Sequence, residues 1–440
     1  MLPFYTSVLS TEDYGTADLI ATTVNLLLPV LTLAICEAVL RFAMEREEDY
    51  SQIFMIGLKI TVIGSIILLL GIPIALYMGI LSLYVLFYLT YIVTVGYTLL
   101  SQFARGRGYV KTFAISGVIS TAVVVSCNIL FLVVFRWGIT GYLLSTILAY
   151  LVCIVYISVS IHVWQFIDIK KKIQKEKYKE MLKYSAPLIP NTITWWVNLS
   201  LDRYLLTAMS GIGSNGIYSV ANKLPTIFST FSDIFIRAWQ LSAVSEYDAE
   251  DRNLYYKQIY KYYNVFLVLS CSVAIIVTRF LAKILFADEF FVAWKSAPFL
   301  MISAVFSAFN GFIGSVYTAS KNTKVLFYST LVGAISNIIL NIVLIPGLDE
   351  VGAAIATCFS FSIIWLIRCL TMPKEFRNIG FLEHKYLVSY VLLFVQGGVL
   401  LIYGKNSYIF MILIFVIFMI LYNKDIVVLL KQMQKKIFRR

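Results

Sequence analysis

The chain has 440 residues, of which 60% are hydrophobic and only 14% charged, with a mean hydropathy of +0.83. Water-soluble domains need roughly a quarter charged residues to cover their surfaces, so lipid is the solvent for most of this chain and a soluble enzyme is excluded. The formal charge of +12 does not point to nucleic acid, because the cations concentrate in loops on one side of the predicted bundle.

A spanning helix needs about 20 mostly apolar residues. In chain order, such stretches predict helices over roughly 17–40, 53–77, 80–101, 112–135 and 140–163, then 184–209, 216–243, 262–286, 297–319, 325–346 and 351–372, and last 386–404 and 407–422, thirteen in all. Lys and Arg in alternate connections then separate. The segments 41–52, 102–111, 164–183, 244–261, 320–324, 373–385 and 423–440 hold 26 of them, and the opposite set holds only Arg136, Lys295 and Lys405. By the positive-inside rule the first set is cytoplasmic. That predicts a multi-pass protein of the cytoplasmic (inner) membrane with its C-terminus inside. The basic run Lys170, Lys171, Lys172, Lys175, Lys177 and Lys179 sets this topology and rests on anionic head groups of membrane lipids.

Cys36, Cys127, Cys153, Cys271, Cys358 and Cys369 fall in apolar segments without a CxxC spacing and read as small buried hydrophobes. His162 and His384 stand alone. No metal site, catalytic triad or cofactor is expected. Because no GxxxxGK[ST] loop is present, ATP is not the energy source, and the driving force falls to an ion gradient, with H⁺ or Na⁺ as coupling ion, to the membrane potential, or to consumption of product outside.

Leu9-Ser10, Tyr14-Gly15, Glu37 and the acidic run Glu45, Glu47, Glu48, Asp49 are echoed by Met209-Ser210, Asn215-Gly216, Arg237 and Glu246, Asp248, Glu250, Asp251. Six predicted helices separate the copies, an even number, so the repeat is parallel, with its axis along the membrane normal. The second copy is preceded by a full predicted helix and the first by only a few residues. The expectation is that a first helix is missing from the start and that fourteen spans make the whole.

Pro187-Leu188-Ile189-Pro190, Trp196, Asp202-Arg203, Gly216 to Pro225 and Phe235 to Trp239 together resemble the repeat-unit flippases of the polysaccharide transporter family, in the multidrug/oligosaccharidyl-lipid/polysaccharide exporter superfamily. Pro3-Phe4-Tyr5-Thr6, Glu12 to Gly15, Ala38 to Phe42, Asn337 to Pro346 and Gly352-Ala353-Ala354 extend the resemblance over nearly the whole chain. It implies an all-α polytopic bundle of two pseudo-symmetric six-helix lobes plus two C-terminal helices. The boundaries read as an N-terminal lobe at 1–169, a basic inter-lobe loop at 170–183, a C-terminal lobe at 184–372, two added helices at 386–422 and a basic tail at 423–440. The implied cargo is a lipid-linked oligosaccharide of O-antigen or capsule type, moved without enzymatic chemistry and in contact with polysaccharide polymerase machinery. Rival readings are a lipid II flippase, a multidrug exporter of the same superfamily, and a membrane polysaccharide polymerase, which usually carries a large outer loop that this chain does not offer.

Ionisable groups inside spans are expensive and mark function. Asp202, Arg203 and Lys223 are predicted at a similar depth. Lys223 and Arg237, on one predicted helix, are about 21 Å apart along the axis and near one face; Asp233 stands one turn before Arg237 and Pro225 loosens the helix beside Lys223. For a pyrophosphate cargo, Arg203, Lys223 and Arg237 would receive the phosphates in succession, as an Arg fork suits phosphate oxygens, with ion pairing to Asp202 or Asp233 as the bland reading. Glu37, Arg41 and Lys59 form a cytoplasmic-side set whose alternatives are snorkelling and attraction of substrate. Asn191, Trp195, Asn198, Asn337 and Asn341 offer hydrogen bonds and a flat apolar face for sugars, against simple interhelical bonding. Glu37, Asp202 and Asp233 are the candidate ion carriers, while Asp18, Arg279, Lys283 and Arg368 read as snorkelling residues near helix ends.

Overall fold

Every predicted stretch falls in helix in the computed structural model, which describes residues 2–45, 49–168, 173–247, 250–320 and 322–428 and contains no strand among them. Among the described residues, nine segments are long and apolar enough to cross a membrane. Two of these are double. Lys324–Leu370 has 47 residues, about 70 Å at 1.5 Å per residue, more than twice a hydrocarbon core of about 30 Å. Asp349, at φ 45 and ψ −128, breaks it into two helices. His384–Leu421 is likewise interrupted at Gly404, where φ is 53. The predicted stretches 184–209 and 216–243 are too polar to qualify, because the first carries Asn191, Asn198, Asp202 and Arg203 and the second Lys223, Asp233 and Arg237.

Several stretches read as single helices are interrupted, two of them beside charged candidates. Across 17–40, Thr11–Leu31 gives way to Ile35–Ala43 through Leu33 and Ala34, both left-handed at φ 53 and 51, a conformation that costs an L-residue about 1–2 kcal/mol. The Ala34 N–H donates to the Pro29 carbonyl at 2.7 Å and closes the turn. Across 216–243, Ile212–Ala221 and Thr226–Ser245 are separated by a turn at 222–225 ending in Pro225, whose ring clashes with the preceding helical turn and lacks a donor. Lys223 lies in this turn. It therefore does not share one helical face with Arg237, and the continuous cationic track is corrected to two cations on separate segments.

The chain divides into two compact units, residues 3–196 and 197 onward, with the boundary inside the Leu188–Ser210 helix. In the first unit, Ile35, Val39 and Phe42 of Ile35–Ala43 pack with Ile53 and Ile60 of Tyr50–Leu69 and with Leu99 and Phe103 of Leu81–Gly106. Without a hydrophobic driving force in lipid, close backbone approach does the work of association. Gly57 and Gly64 allow it: a Cβ at Gly57 would lie 2.7 Å from Val39 Cγ2, and one at Gly64 only 2.5 Å from the Leu31 carbonyl oxygen.

In the second unit the Ala297–Ala319 helix is enclosed, with 83% of its most apolar window buried. Trp239 stacks on Phe312 at 4.3 Å and donates its indole N–H to the Phe312 carbonyl at 3.1 Å. The C-terminal helices His384–Tyr403 and Tyr408–Leu421 are tied to Arg252–Leu285 by hydroxyl contact between Tyr260 and Tyr390 at 2.9 Å and by donation from Tyr422 to Asn264 Oδ1 at 2.8 Å. Past the Tyr408–Leu421 helix, Asp425 in the helical stretch 423–428 receives Lys261 at 2.6 Å and Lys385 at 2.5 Å. Burial pushes the Asp425 carboxyl up, but the hydrogen bonds and charges of the two lysines outweigh it and hold the group below its ordinary range.

Candidate functional site

Residues four apart on a helix lie one above the other. The Leu188–Ser210 helix accordingly turns Asn198, Asp202 and Leu206 inward. Asp202 is only 2% exposed. Its Oδ2 accepts hydrogen bonds from the Tyr218 hydroxyl and, at 3.1 Å, from the Thr357 hydroxyl; its Oδ1 accepts the Arg203 backbone N–H at 3.0 Å. The network continues on the Thr323–Leu370 segment. Asn337 Nδ2 donates to Thr357 Oγ1 at 3.4 Å, and Asn341 Nδ2 donates to Asn337 Oδ1 at 3.0 Å. Asn341 Oδ1, itself buried, has no hydrogen-bond partner.

This is a buried cluster of one carboxylate with hydroxyl and amide oxygens. Hard oxygen donors suit a proton or a small hard cation, and a single carboxylate balances a single positive charge. Among the described residues no three His, Cys, Asp or Glu side chains converge, so the donor set is not that of a transition-metal centre. Of the predicted site residues, the structure brings together Asp202, Asn337 and Asn341, with Asn198 one turn away donating to the Thr330 carbonyl at 3.4 Å.

Tyr218, Thr357 and Arg368 were not among the predicted site residues. Arg368 is corrected from a snorkelling side chain to a core one, being 4% exposed. Its guanidinium donates to Ser329 Oγ at 3.0 Å, to the Asn310 carbonyl at 2.7 Å and to Thr330 Oγ1 at 3.0 Å. It lies against Gly314, where a Cβ would meet Nη1 at 3.4 Å, an ordinary contact distance. Thr330 links the two networks, its hydroxyl on Arg368 and its carbonyl on Asn198. The available signal for Arg368 was its charge inside an apolar stretch; Tyr218 lay within the Gly216 to Pro225 run without a chemical cue of its own, and Thr357 carried none beyond a hydroxyl.

Arg203 is half-buried beside Asp202, whereas Lys223, Asp233 and Arg237 are exposed. No ion pair joins Asp233 to Arg237 among the described residues. Arg237 stands on a helix surface that also exposes Ile234 (69%) and Leu241 (76%). In the first unit, Arg41 pairs with Glu45 at 2.8 Å, and Glu37 accepts from Gln102 Nε2 at 3.1 Å. Lys59, Asn191 and Trp195 are exposed. Trp196, next to Trp195, donates to the Thr22 carbonyl at 3.1 Å.

Residues 1–239 match the model of a family described as polysaccharide biosynthesis protein. An uncharacterized membrane protein of Methanocaldococcus jannaschii is 26% identical over 249 residues, which cover 52% of the chain and 47% of that protein. The chain thus spans about half the length of this curated relative. Among solved structures, the lipid II flippase MurJ in an inward closed conformation superposes with a TM-score of 0.65 at 18% identity, covering 97% of both chains. A multidrug resistance MATE family transporter of the MOP superfamily, inward-facing, gives 0.66 at 12% identity, covering 87% of this chain and 94% of its own. At these identities the two structures establish the fold.

Proposed function

The chain belongs to the polysaccharide biosynthesis protein family, and from that membership we propose that it is a flippase. Its cargo is a polyprenyl-pyrophosphate-linked oligosaccharide repeat unit, moved from the cytoplasmic to the outer leaflet of the cytoplasmic membrane by alternating access, for assembly of surface polysaccharide of O-antigen, capsule or exopolysaccharide type. It acts as a transporter and not as an enzyme. The observation that carries this reading is Arg237, exposed on a helix surface between Ile234 and Leu241. A guanidinium cannot rest against acyl chains without cost, so this surface suits an aqueous passage that receives anions. Lys223 on the preceding turn and Arg203 beside Asp202 supply further positive charge, and the fork of Arg matches phosphate oxygens.

Asp202 holds the coupling ion in this reading, H⁺ or Na⁺. Of the three candidate carriers it alone is buried among oxygen donors, while Glu37 and Asp233 are exposed. Asn191 and Trp195 are exposed and free to meet sugar, whereas Asn337 and Asn341 hydrogen-bond to each other. Their place is with the ion.

The test uses full-length protein in proteoliposomes, with a lipid-linked repeat unit whose outer-leaflet fraction is read by an added enzyme or lectin. Lys223→Ala and Arg237→Ala should each reduce translocation by at least tenfold while the protein stays folded in the membrane. Near-normal translocation by both would remove the proposal. Lipid II offered in parallel separates the rival cargo: faster movement of lipid II than of the repeat unit assigns the protein to peptidoglycan synthesis.

A further inference from the structure

Away from the Asp202 cluster, a cavity of about 530 Å³ in the second unit is lined by Arg279, Phe280, Lys283, Phe291, Lys405 and Tyr408. Three cations from two distant stretches of sequence meet there. By the distribution of Lys and Arg, this end of the bundle is the outer one, where loops hold only Arg136, Lys295 and Lys405. A convergence of positive charge on the side otherwise almost bare of it is not explained by topology.

None of the three is in an ion pair among the described residues. Arg279 is held by rings, its guanidinium 4.9 Å from Trp294 and 5.9 Å from Phe291. Gly404, at φ 53, makes space for it, since a Cβ there would lie 2.7 Å from Arg279 Nη1. Phe280 of the lining is itself exposed, and so are Ile284, one turn further along its helix, and Ile409 and Phe410, which follow Tyr408 in the chain. A cationic hollow in an apolar surface at a membrane–water boundary selects a molecule with a matching division, an anionic head and hydrocarbon tails.

We infer that this cavity binds the phosphate head group of a lipid in the outer leaflet, with Arg279, Lys283 and Lys405 on the phosphate oxygens and the tails along Phe280 and Ile284. A volume of about 530 Å³ lies within the range of small-molecule sites. The source is either a bulk anionic phospholipid or a polyprenyl phosphate, which share this chemistry. The inference does not depend on the flippase reading.

Native mass spectrometry of the full chain, titrated with phosphatidylglycerol, with a polyprenyl phosphate and with zwitterionic phosphatidylcholine, tests it. Each cation near the surface contributes about fivefold. Arg279→Gln/Lys283→Gln/Lys405→Gln should therefore weaken retention of phosphate lipid by roughly a hundredfold. Arg279→Lys/Lys283→Arg/Lys405→Arg should keep most of it, which separates loss of charge from loss of fold. Gly404→Leu, which displaces the Arg279 guanidinium, should reduce retention several-fold. Tighter binding of polyprenyl phosphate than of phosphatidylglycerol names the carrier lipid as the source, and the reverse names bulk lipid. Equal retention by wild type and the neutralised variant, or equal binding of phosphatidylcholine, overturns the inference and leaves three snorkelling cations.

Discussion

Asp202→Asn keeps the shape of the buried cluster and removes its charge. The carboxylate accepts from Tyr218 and Thr357 on one oxygen and from the Arg203 N–H on the other. An amide retains one acceptor and turns an NH₂ toward a hydroxyl or an N–H that was a donor. About one charge-assisted hydrogen bond is lost, roughly 1.5–3 kcal/mol. If Asp202 holds the coupling ion, a second and separable loss follows. A cation at a hundred times its Kd stabilises the folded state by about 2.7 kcal/mol, which raises Tm by about 5–10 °C for a unit of this size. Purified wild type should therefore melt higher as Na⁺ or H⁺ replaces choline, and Asp202→Asn should melt lower and show no such response. Thr357→Val should weaken the response without abolishing it. Equal ion-dependent shifts in wild type and Asp202→Asn, or no shift in wild type with any ion tried, would refute the assignment of the ion to this carboxylate.

Gly64→Val places a side chain 2.5 Å from the Leu31 carbonyl, and the two helices must separate. Destabilisation by about 1–3 kcal/mol should appear as faster proteolysis of the first unit, whereas Gly117→Ala, with nothing within 4 Å, should be neutral or slightly stabilising. The Asp425 carboxyl is held low by Lys261 and Lys385. A group with a depressed folded-state pKa contributes stability above its unfolded value, about 3.9, and loses that contribution as pH falls through the folded value. Asp425→Asn should therefore be less stable than wild type at neutral pH, and the difference should shrink below about pH 4; a constant difference across that window would show that the lysines do not act through its charge.

Apolar runs made the helices legible, because a hydrocarbon core requires about 20 apolar residues per span. The interruptions were less so. Pro225 announced the break beside Lys223, but Leu33 and Ala34 are ordinary apolar residues, and their left-handed turn is imposed by packing that no local pattern reveals. Asp202 was visible as a charge in a span, yet its partners Tyr218 and Thr357 lie 16 and 155 residues away. Periodicity reports which residues share a helix face, not which faces meet. For the same reason Arg279 and Lys283 read singly as snorkelling residues and Lys405 as a lone loop cation, and only the fold brings Lys405 to Arg279.

The separation of Asp202 from Thr357 also bears on biogenesis. Ribosomes deliver the Leu188–Ser210 helix to the translocon before Tyr218 and Thr357 exist, so its carboxylate enters without the two hydroxyl donors that later meet it, bonded only by the Arg203 N–H of its own helix. The cluster around it closes only once the Thr323–Leu370 segment, 155 residues downstream at Thr357, has been made.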